Sequence, residues 1–324
     1  MLFCPYMKLA ILIPALNEEK TIAEVIDAIP RAFDGLDERQ IIVVDDGSSD
    51  ATGEIARAHG AIVLRHKKNM GVGKSFQDGL EKALELKADI LVTIDADRQF
   101  DTEEIPKLLK PILDGEADFV TGSRFLDSSF TPGNMPWIKQ WGNHRVAEII
   151  SWATGKEFYD VSCGFRAYGS EAMLRLNLFG RFTYTQETFL DLSFKGLHMI
   201  EVPVTVRYFE GRKSRVASSI LGYARKSASI IFRAIKDYSP LKFFGWSGVG
   251  IFLVGLGLDI FTIVHYYQTG TFSPYKAVAL TGAFLNAIGI MVFFIGILAD
   301  LIDKIRLTQE KVLYYEKKRR YEQR

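Results

Sequence analysis

Two long apolar stretches near the C-terminal end restrict this chain more than any other feature. Ala277 to Ala299 contains no charged residue, and Phe243 to Tyr275 contains only Asp259. Each can hold a helix of about 20 residues, enough to cross a hydrocarbon core roughly 30 Å thick. The alternative is a buried helical hairpin in a water-soluble domain. Gly245, Gly248, Gly250, Gly255 and Gly257 oppose it, because such glycines weaken a helix in water but allow close packing in a membrane. Two transmembrane helices are therefore expected within residues 241–302. Asp259 falls about 24 Å along the first from Phe243 at 1.5 Å per residue, near the far interface, where hydration is expected.

Basic residues set the orientation. Arg225, Lys226, Arg233, Lys236 and Lys242 precede the first span, while Lys304, Arg306, Lys311, Lys317, Lys318, Arg319 and Arg320 follow the second. The connecting loop offers only Lys276, so both termini are expected to be cytoplasmic, with residues 303–324 as a basic tail. Between Val216 and Tyr238, Ile220, Tyr223, Ile230, Ile231 and Ile235 are set against Arg225, Lys226, Arg233 and Lys236. That pattern suits a helix over residues 216–240 lying at the membrane surface, or one that binds a partner. Met1 to Tyr6 is too short for a signal peptide, and the apolar run Leu9 to Ile13 is strand-sized. A net charge of +1 over 324 residues argues against a nucleic-acid partner. Cys4 and Cys163 imply no disulfide framework.

Residues 1–215 alternate between strand and helix. Strands are expected at Leu9 to Ile13, Ile41 to Val44, Ala61 to Leu64, Ile90 to Ile94, Ala117 to Thr121 and Ile200 to Val206. Helices are expected at Glu18 to Ile29, from Asp50 towards His59, and at Gly71 to Leu86, Thr102 to Leu113 and Trp137 to Thr154, with another opening at Tyr184. This is the pattern of a doubly wound α/β domain with a mainly parallel, Rossmann-like sheet. Ligands of such sheets bind at the carboxyl ends of the strands. Three polar clusters, Pro14 to Glu18, Asp45 to Asp50 and Asp95 to Gln99, all fall there.

Asp95, Asp97 and Gln99 follow a buried-strand run at alternate positions. Their oxygens suit a hard divalent ion, Mg²⁺ or Mn²⁺, that keeps positions open for substrate phosphate oxygens. A solvated acidic turn accounts for the same residues, whereas an EF-hand loop fails because Phe100 and Pro106 stand where Gly and Glu are required. Asn69 to Ser75 resembles a phosphate loop only superficially. Lys68 stands where a Walker A motif needs glycine, and Ser75 and Phe76 replace the third glycine of a dinucleotide fingerprint. What remains is a glycine-permitted turn at a helix start with Lys74 nearby, either a modest anion site or a plain turn with a surface lysine.

Pro14-Ala-Leu-Asn-Glu-Glu19, Val43-Val-Asp-Asp-Gly-Ser48, Asp95-Ala-Asp-Arg-Gln99, Gly122-Ser-Arg124, Ser162-Cys-Gly-Phe-Arg166 and the basic loop Arg207 to Arg215 occur in this order. Together with two C-terminal spans, they resemble the family 2 glycosyltransferases of GT-A fold, in particular dolichyl-phosphate mannose synthases and polyprenyl-phosphate glucosyltransferases. The resemblance implies that Pro14, Leu16 and Glu18 line the base and ribose of a nucleoside diphosphate sugar, with Asp46 beside them. Lys74, Asp95, Ala96 and Asp97 would complete that site. Asp95, Asp97 and Gln99 would hold Mg²⁺ or Mn²⁺ against the pyrophosphate. Arg124 would sit near the acceptor phosphate, and Asp160, Arg166 and Glu187 would shape the sugar and acceptor pocket. Arg207, Arg212, Ser214 and Arg215 would meet the phosphate of a polyprenyl or dolichyl lipid, with the choice among the three arginines open. The catalytic set is then Asp97, Arg124, Asp160, Glu187, Arg207, Arg212 and Arg215.

A lipid phosphate is already an anionic nucleophile near pH 7, so such a reaction needs little general-base help. It needs a cation for the departing nucleoside diphosphate and arginines to hold two anions together. A single in-line displacement inverts the anomeric centre. The resemblance favours UDP-glucose or UDP-N-acetylglucosamine as donor, with GDP-mannose the alternative. A processive polysaccharide synthase would show a Gln-x-x-Arg-Trp stretch and more spans. A nucleotide-sugar-binding protein without turnover would have lost the acidic triad or the basic loop. Glycine-rich spans also permit a homo-oligomer.

Overall fold

The computed structural model describes residues 6–133, 135, 137–178, 184–207 and 240–322. The expected surface helix lies outside the described residues except for Pro240, and so do Arg212, Ser214 and Arg215. The chain divides into two compact units, the second running from Phe232 to Leu313.

Seven strands build the sheet of the first unit: β1 (Lys8–Ala15), β2 (Glu38–Asp45), β3 (Ile62–Arg65), β4 (Ile90–Thr93), β5 (Phe119–Ser123), β6 (Arg166–Gly169) and β7 (Met199–Pro203). Their order is β3-β2-β1-β4-β6-β5-β7. In β1, Leu9 to Ile13 are buried on both faces, as a central parallel strand requires. Helices α1 (Ile22–Ala28), α2 (Thr52–Ala58), α3 (Val72–Glu85), α4 (Ile105–Leu113), α5 (Trp137–Thr154), α6 (Ser170–Arg175) and α7 (Thr185–Phe194) connect the strands. The doubly wound reading holds, with a mixed rather than wholly parallel sheet.

The exception is β6, which runs antiparallel to both β4 and β5. Arg166 at its start pairs in register with Thr93 at the end of β4 and with Thr121 of β5. Reversal therefore brings the segment before β6, residues 160–165, to the edge where the other strands end. Neither β6 nor α6 is signalled in the sequence, since a four-residue Arg-Ala-Tyr-Gly strand shows no usable period. The helix expected from Glu18 begins at Ile22 instead. Residues 18–21 form a turn in which the Glu18 carbonyl accepts the Thr21 and Ile22 N–H groups at 3.0 and 2.9 Å.

The second unit is a hairpin from α8 (Pro240–Thr269) and α9, which spans Lys276–Glu322. Both are long and apolar enough to cross a membrane. Only 17% and 11% of their most apolar stretches are buried, which a soluble-core hairpin would not show. Asp259 is half-buried, and Asn286 Nδ2 donates to its Oδ2 at 2.6 Å. It is bonded across the hairpin, where the sequence suggested simple hydration. The glycines act inside this hairpin: a Cβ on Gly282 would overlap the Asp259 carboxylate and lie 3.0 Å from the Gly255 carbonyl.

The end of α9, from Tyr314, belongs to the first unit. Tyr314 Oη donates to Glu171 at 2.7 Å, and Lys317 Nζ donates to Leu176 O and Asn177 Oδ1, each at 3.0 Å. Tyr321 Oη reaches Glu81 on α3 at 3.4 Å. The segment expected as a basic tail is helical, and its Tyr314 and Tyr321 are bonded to α6 and α3.

A leucine at position 282 has no room between the two helices. Gly282→Leu is expected to separate Asp259 from Asn286 and to destabilise the hairpin by about 1–3 kcal/mol, the usual cost of overpacking. Thermal unfolding in detergent reads this out, and an unchanged midpoint would contradict the packing.

Candidate active site

Two loops at the carboxyl edge are stapled together. Asn17, after β1, adopts a left-handed φ of 52°. Its N–H donates to Ser48 Oγ at 2.9 Å, and its Oδ1 accepts the Ser49 N–H at 2.8 Å. The Glu18 N–H donates to Thr52 Oγ1 at 2.8 Å. Pro14, Leu16 and Glu18 are half-buried along this junction, so the β1 and β2 loops form one wall.

Asp46 is organised by a different turn. Its Oδ1 accepts from His66 Nδ1 at 2.7 Å and from the Met70 N–H at 2.7 Å, and its Oδ2 accepts from the Gly71 N–H at 2.9 Å. His66 Nε2 bonds Asp78 Oδ2 at 2.9 Å, and Asp78 Oδ1 accepts from Lys74 Nζ at 2.6 Å. Lys74, read as an anion site or a surface lysine, is ion-paired within its own helix.

Asp95 and Asp97 follow β4 at the middle of the same edge. Asp97 Oδ1 accepts the Gln99 N–H at 3.1 Å, and Arg98 between them is left-handed at φ 63°. Non-glycine residues in that region carry strain and gather at functional sites. Ala96 is buried. The segment before β6 presses on Asp95, so that a Cβ on Gly164 would stand 3.1 Å from Oδ2. Burial, and then the Asp97 charge, push the Asp95 carboxyl up to about 7, against the pull of Arg166 and Arg124. A pair of carboxylates whose mutual repulsion is met by protonation is a pair that fits a divalent cation. Among the described residues, no group of three or more His, Cys, Asp or Glu side chains gathers for a metal. Asp95 and Asp97 would therefore bind an ion whose other positions are filled elsewhere, as Mg²⁺ and Mn²⁺ permit with phosphate oxygens. Gln99 contributes its N–H to Asp97 and its carbonyl to the Arg207 N–H at 2.8 Å.

On the far side of Asp95 stands a buried ion pair. Arg124 Nε donates to Asp160 Oδ2 at 2.6 Å, and Nη2 donates to Oδ1 at 2.8 Å and to Ser162 Oγ at 2.9 Å. Burial works to raise the Asp160 carboxyl, but Arg124 beside it holds it below the usual carboxylate range. Glu201 on β7 accepts the backbone N–H groups of Tyr159 and Asp160 at 2.7 and 2.8 Å and so fixes the pair from behind. Arg166 is fully buried and donates to the carbonyls of Cys163, Thr185 and Val161. It therefore braces the segment before β6 against the start of α7. Glu187 lies half-buried in the first turn of α7. Arg207 is exposed and pairs with Asp101 at 3.0 Å.

The structure thus brings Asp95, Asp97, Arg124, Asp160 and Glu18 to one strand edge, with Asp46 and Lys74 on the α3 side of it. Asn17, His66, Asp78 and Glu201 were not singled out in the sequence. Glu201 alone left a signal, an acid inside an otherwise apolar strand.

This mainly parallel sheet with an acid pair at its carboxyl edge is a GT-A architecture. The chain belongs to glycosyl transferase family 2: residues 10–174 match that family, and residues 239–305 match the GtrB C-terminal hairpin. An uncharacterized protein of Methanocaldococcus jannaschii is 34% identical over 228 residues, 69% of this chain and 90% of that one. Similar too is the UDP-N-acetylglucosamine--dolichyl-phosphate N-acetylglucosaminyltransferase of Methanococcus voltae, 31% identical over 66% of this chain and 91% of its own length. Glycosyltransferase AglJ of Haloferax volcanii is 28% identical over 93% of this chain and 95% of that one. Among solved structures, glucosyl-3-phosphoglycerate synthase of Mycobacterium tuberculosis, complexed with Mn²⁺, UDP-glucose and phosphoglyceric acid, shares the fold. Its TM-score is 0.57 at 24% identity, over 71% of this chain and 80% of that one.

Two outcomes follow from the geometry. Arg124→Ala leaves Asp160 buried and unpaired and is expected to cost about 3–5 kcal/mol, read as a fall in thermal midpoint. For Asp95, the folded carboxyl binds a proton up to about pH 7, whereas the unfolded one releases it near pH 4. The metal-free protein therefore loses stability as pH rises through that window. A divalent cation takes the proton's place, so the rise in melting temperature from millimolar Mn²⁺ should be larger at pH 8 than at pH 6 and absent in Asp95→Asn. Equal rises at both pH values would refute the site.

Proposed function

We propose that this protein moves a hexose from a nucleoside diphosphate sugar to the phosphate of a polyprenyl or dolichyl lipid, with inversion, at the cytoplasmic face of a membrane. One observation carries the reading: Asp97 stands near enough to the buried Asp95 for its charge to raise that carboxyl, at the carboxyl edge of a GT-A sheet, in a chain that carries a hairpin long enough to span a bilayer. The acceptor class is supported by the name of the Methanococcus voltae relative, whose donor also favours a UDP-sugar such as UDP-N-acetylglucosamine, with UDP-glucose the close variant. The excess of basic residues flanking both spans supports the cytoplasmic orientation.

In this reading Pro14, Leu16, Glu18 and Asp46 receive the base and ribose. Asp95 and Asp97 hold Mg²⁺ or Mn²⁺, with Gln99 alongside. When bound, the ion neutralises charge that develops on the departing diphosphate. The protein's own contribution is placement. Asp160, with Glu187, borders the sugar, and it keeps Arg124 fixed at the acceptor side, where the guanidinium lowers the repulsion between two approaching phosphates. Arg207, Arg212, Ser214 and Arg215 receive the lipid phosphate. The acceptor oxygen is already anionic, so no residue needs to remove a proton from it. In domain terms, residues 1–215 form the transferase domain, 216–240 a juxtamembrane helix and 241–302 the spans.

The test is a donor screen on the full chain in detergent, with Mn²⁺ or Mg²⁺, a polyprenyl phosphate and labelled UDP-glucose, UDP-N-acetylglucosamine or GDP-mannose. One donor should yield label that partitions into organic solvent, reduced about a thousandfold in Asp97→Ala. Nucleotide binding with no lipid product from any donor would instead favour a binding protein without turnover.

A further inference from the structure

The hydrogen bonds around Asp46 bear on the identity of the donor base. A carboxylate offers roughly four acceptor positions, two on each oxygen. On Oδ1, the Met70 N–H and His66 Nδ1 fill both, each at 2.7 Å. On Oδ2, the Gly71 N–H at 2.9 Å fills one. Asp46 is 4% exposed, and among the described residues one acceptor position, on Oδ2, is left. A carboxylate oxygen only accepts, so His66, set between two carboxylates, donates from Nδ1 to Asp46 and from Nε2 to Asp78. Asp78, itself bonded to Lys74, receives the opposite ring nitrogen and prevents the imidazole from turning away.

The bases differ in what they ask of such a group. Guanine presents two adjacent donors, N1–H and N2–H, which pair with a carboxylate as a fork and need one acceptor on each oxygen. Uracil presents a single donor, N3–H, between two carbonyls. We infer that His66, held between Asp46 and Asp78, is a specificity-determining residue: by occupying Oδ1 of Asp46 it leaves one acceptor, which fits a uridine nucleotide and leaves a guanine donor unpaired. The inference rests on the reading above that Asp46 lies beside the donor base. His66 acts through Asp46 and is a positioning residue in this role.

The experiment is equilibrium binding of UDP, CDP and GDP to the full chain in detergent with Mn²⁺, for wild type, His66→Leu and Asp46→Asn. Wild type should bind UDP about tenfold or more tightly than GDP, the scale of one unmade hydrogen bond. His66→Leu frees the second position on Oδ1, and the gap should close to about threefold or less. Asp46→Asn presents an amide N–H2 to the base, which suits the N3 acceptor of cytosine. The Gly71 N–H can turn to Asn69 Oδ1, already 3.0 Å away, so the preference should move from UDP to CDP. A loss confined to stability would lower all three affinities together and leave their ratios unchanged, and that result would overturn the inference even if one variant failed to fold. So would wild type binding GDP as tightly as UDP. If wild type binds none of the three, the nucleotide-sugar reading itself fails.

Discussion

A guanidinium with no exposed surface holds the two halves of the sheet together. Arg166 opens the one reversed strand, in register with Thr93 on one side and Thr121 on the other. Burying such a charge is costly unless its donors are met. Here three backbone carbonyls accept from it, and its Cζ lies 5.0–5.7 Å from the ring centres of Phe119, Tyr184 and Phe189. Those carbonyls belong to residues 161–163 and to the start of α7. The same contacts that satisfy the cation therefore fix the segment carrying Asp160 and the helix carrying Glu187. Exchanging Arg166 for a smaller residue would release that segment and that helix at once.

Charge at the sheet edge is arranged in opposition. On one side, Asp95 and Asp97 crowd together, and their repulsion is relieved by a proton or a metal. On the other, Arg124 is matched so closely by Asp160 that the pair is nearly neutral as a unit, and Ser162 and Glu201 hold its geometry rather than its charge. In the function proposed above, a substrate carrying two phosphate groups would meet a cation-seeking acid pair and a braced guanidinium. Electrostatic preorganisation of this kind lowers a barrier because the dipoles do not have to move during the reaction.

The sequence disclosed the parts of this design that depend on period and on local motif. Six of the seven strands, the membrane hairpin and the acids after β1, β2 and β4 were legible because each is written in consecutive residues. The reversed strand was not, since Arg166 to Gly169 has neither alternation nor length, and only the tertiary demand of its arginine explains it. His66 and Asp78 were also hidden: a histidine in a loop and an acid in a helix have no relation until α3 folds back on β2. Lys74 stands out in the sequence, but its pairing with Asp78 exists only once α3 sets the two one turn apart. Asp259 was placed by distance along a helix, which carries no information about Asn286 on the other arm.

The docked end of α9 has a consequence for biogenesis. Residues that complete the first unit leave the ribosome only after both apolar helices have been made. Until then Glu171, Leu176 and Asn177 lack their partners Tyr314 and Lys317. The unit can gather its sheet early, but it reaches its finished surface only once the hairpin behind it has been synthesised. Completion of the first unit is in that sense timed by the second.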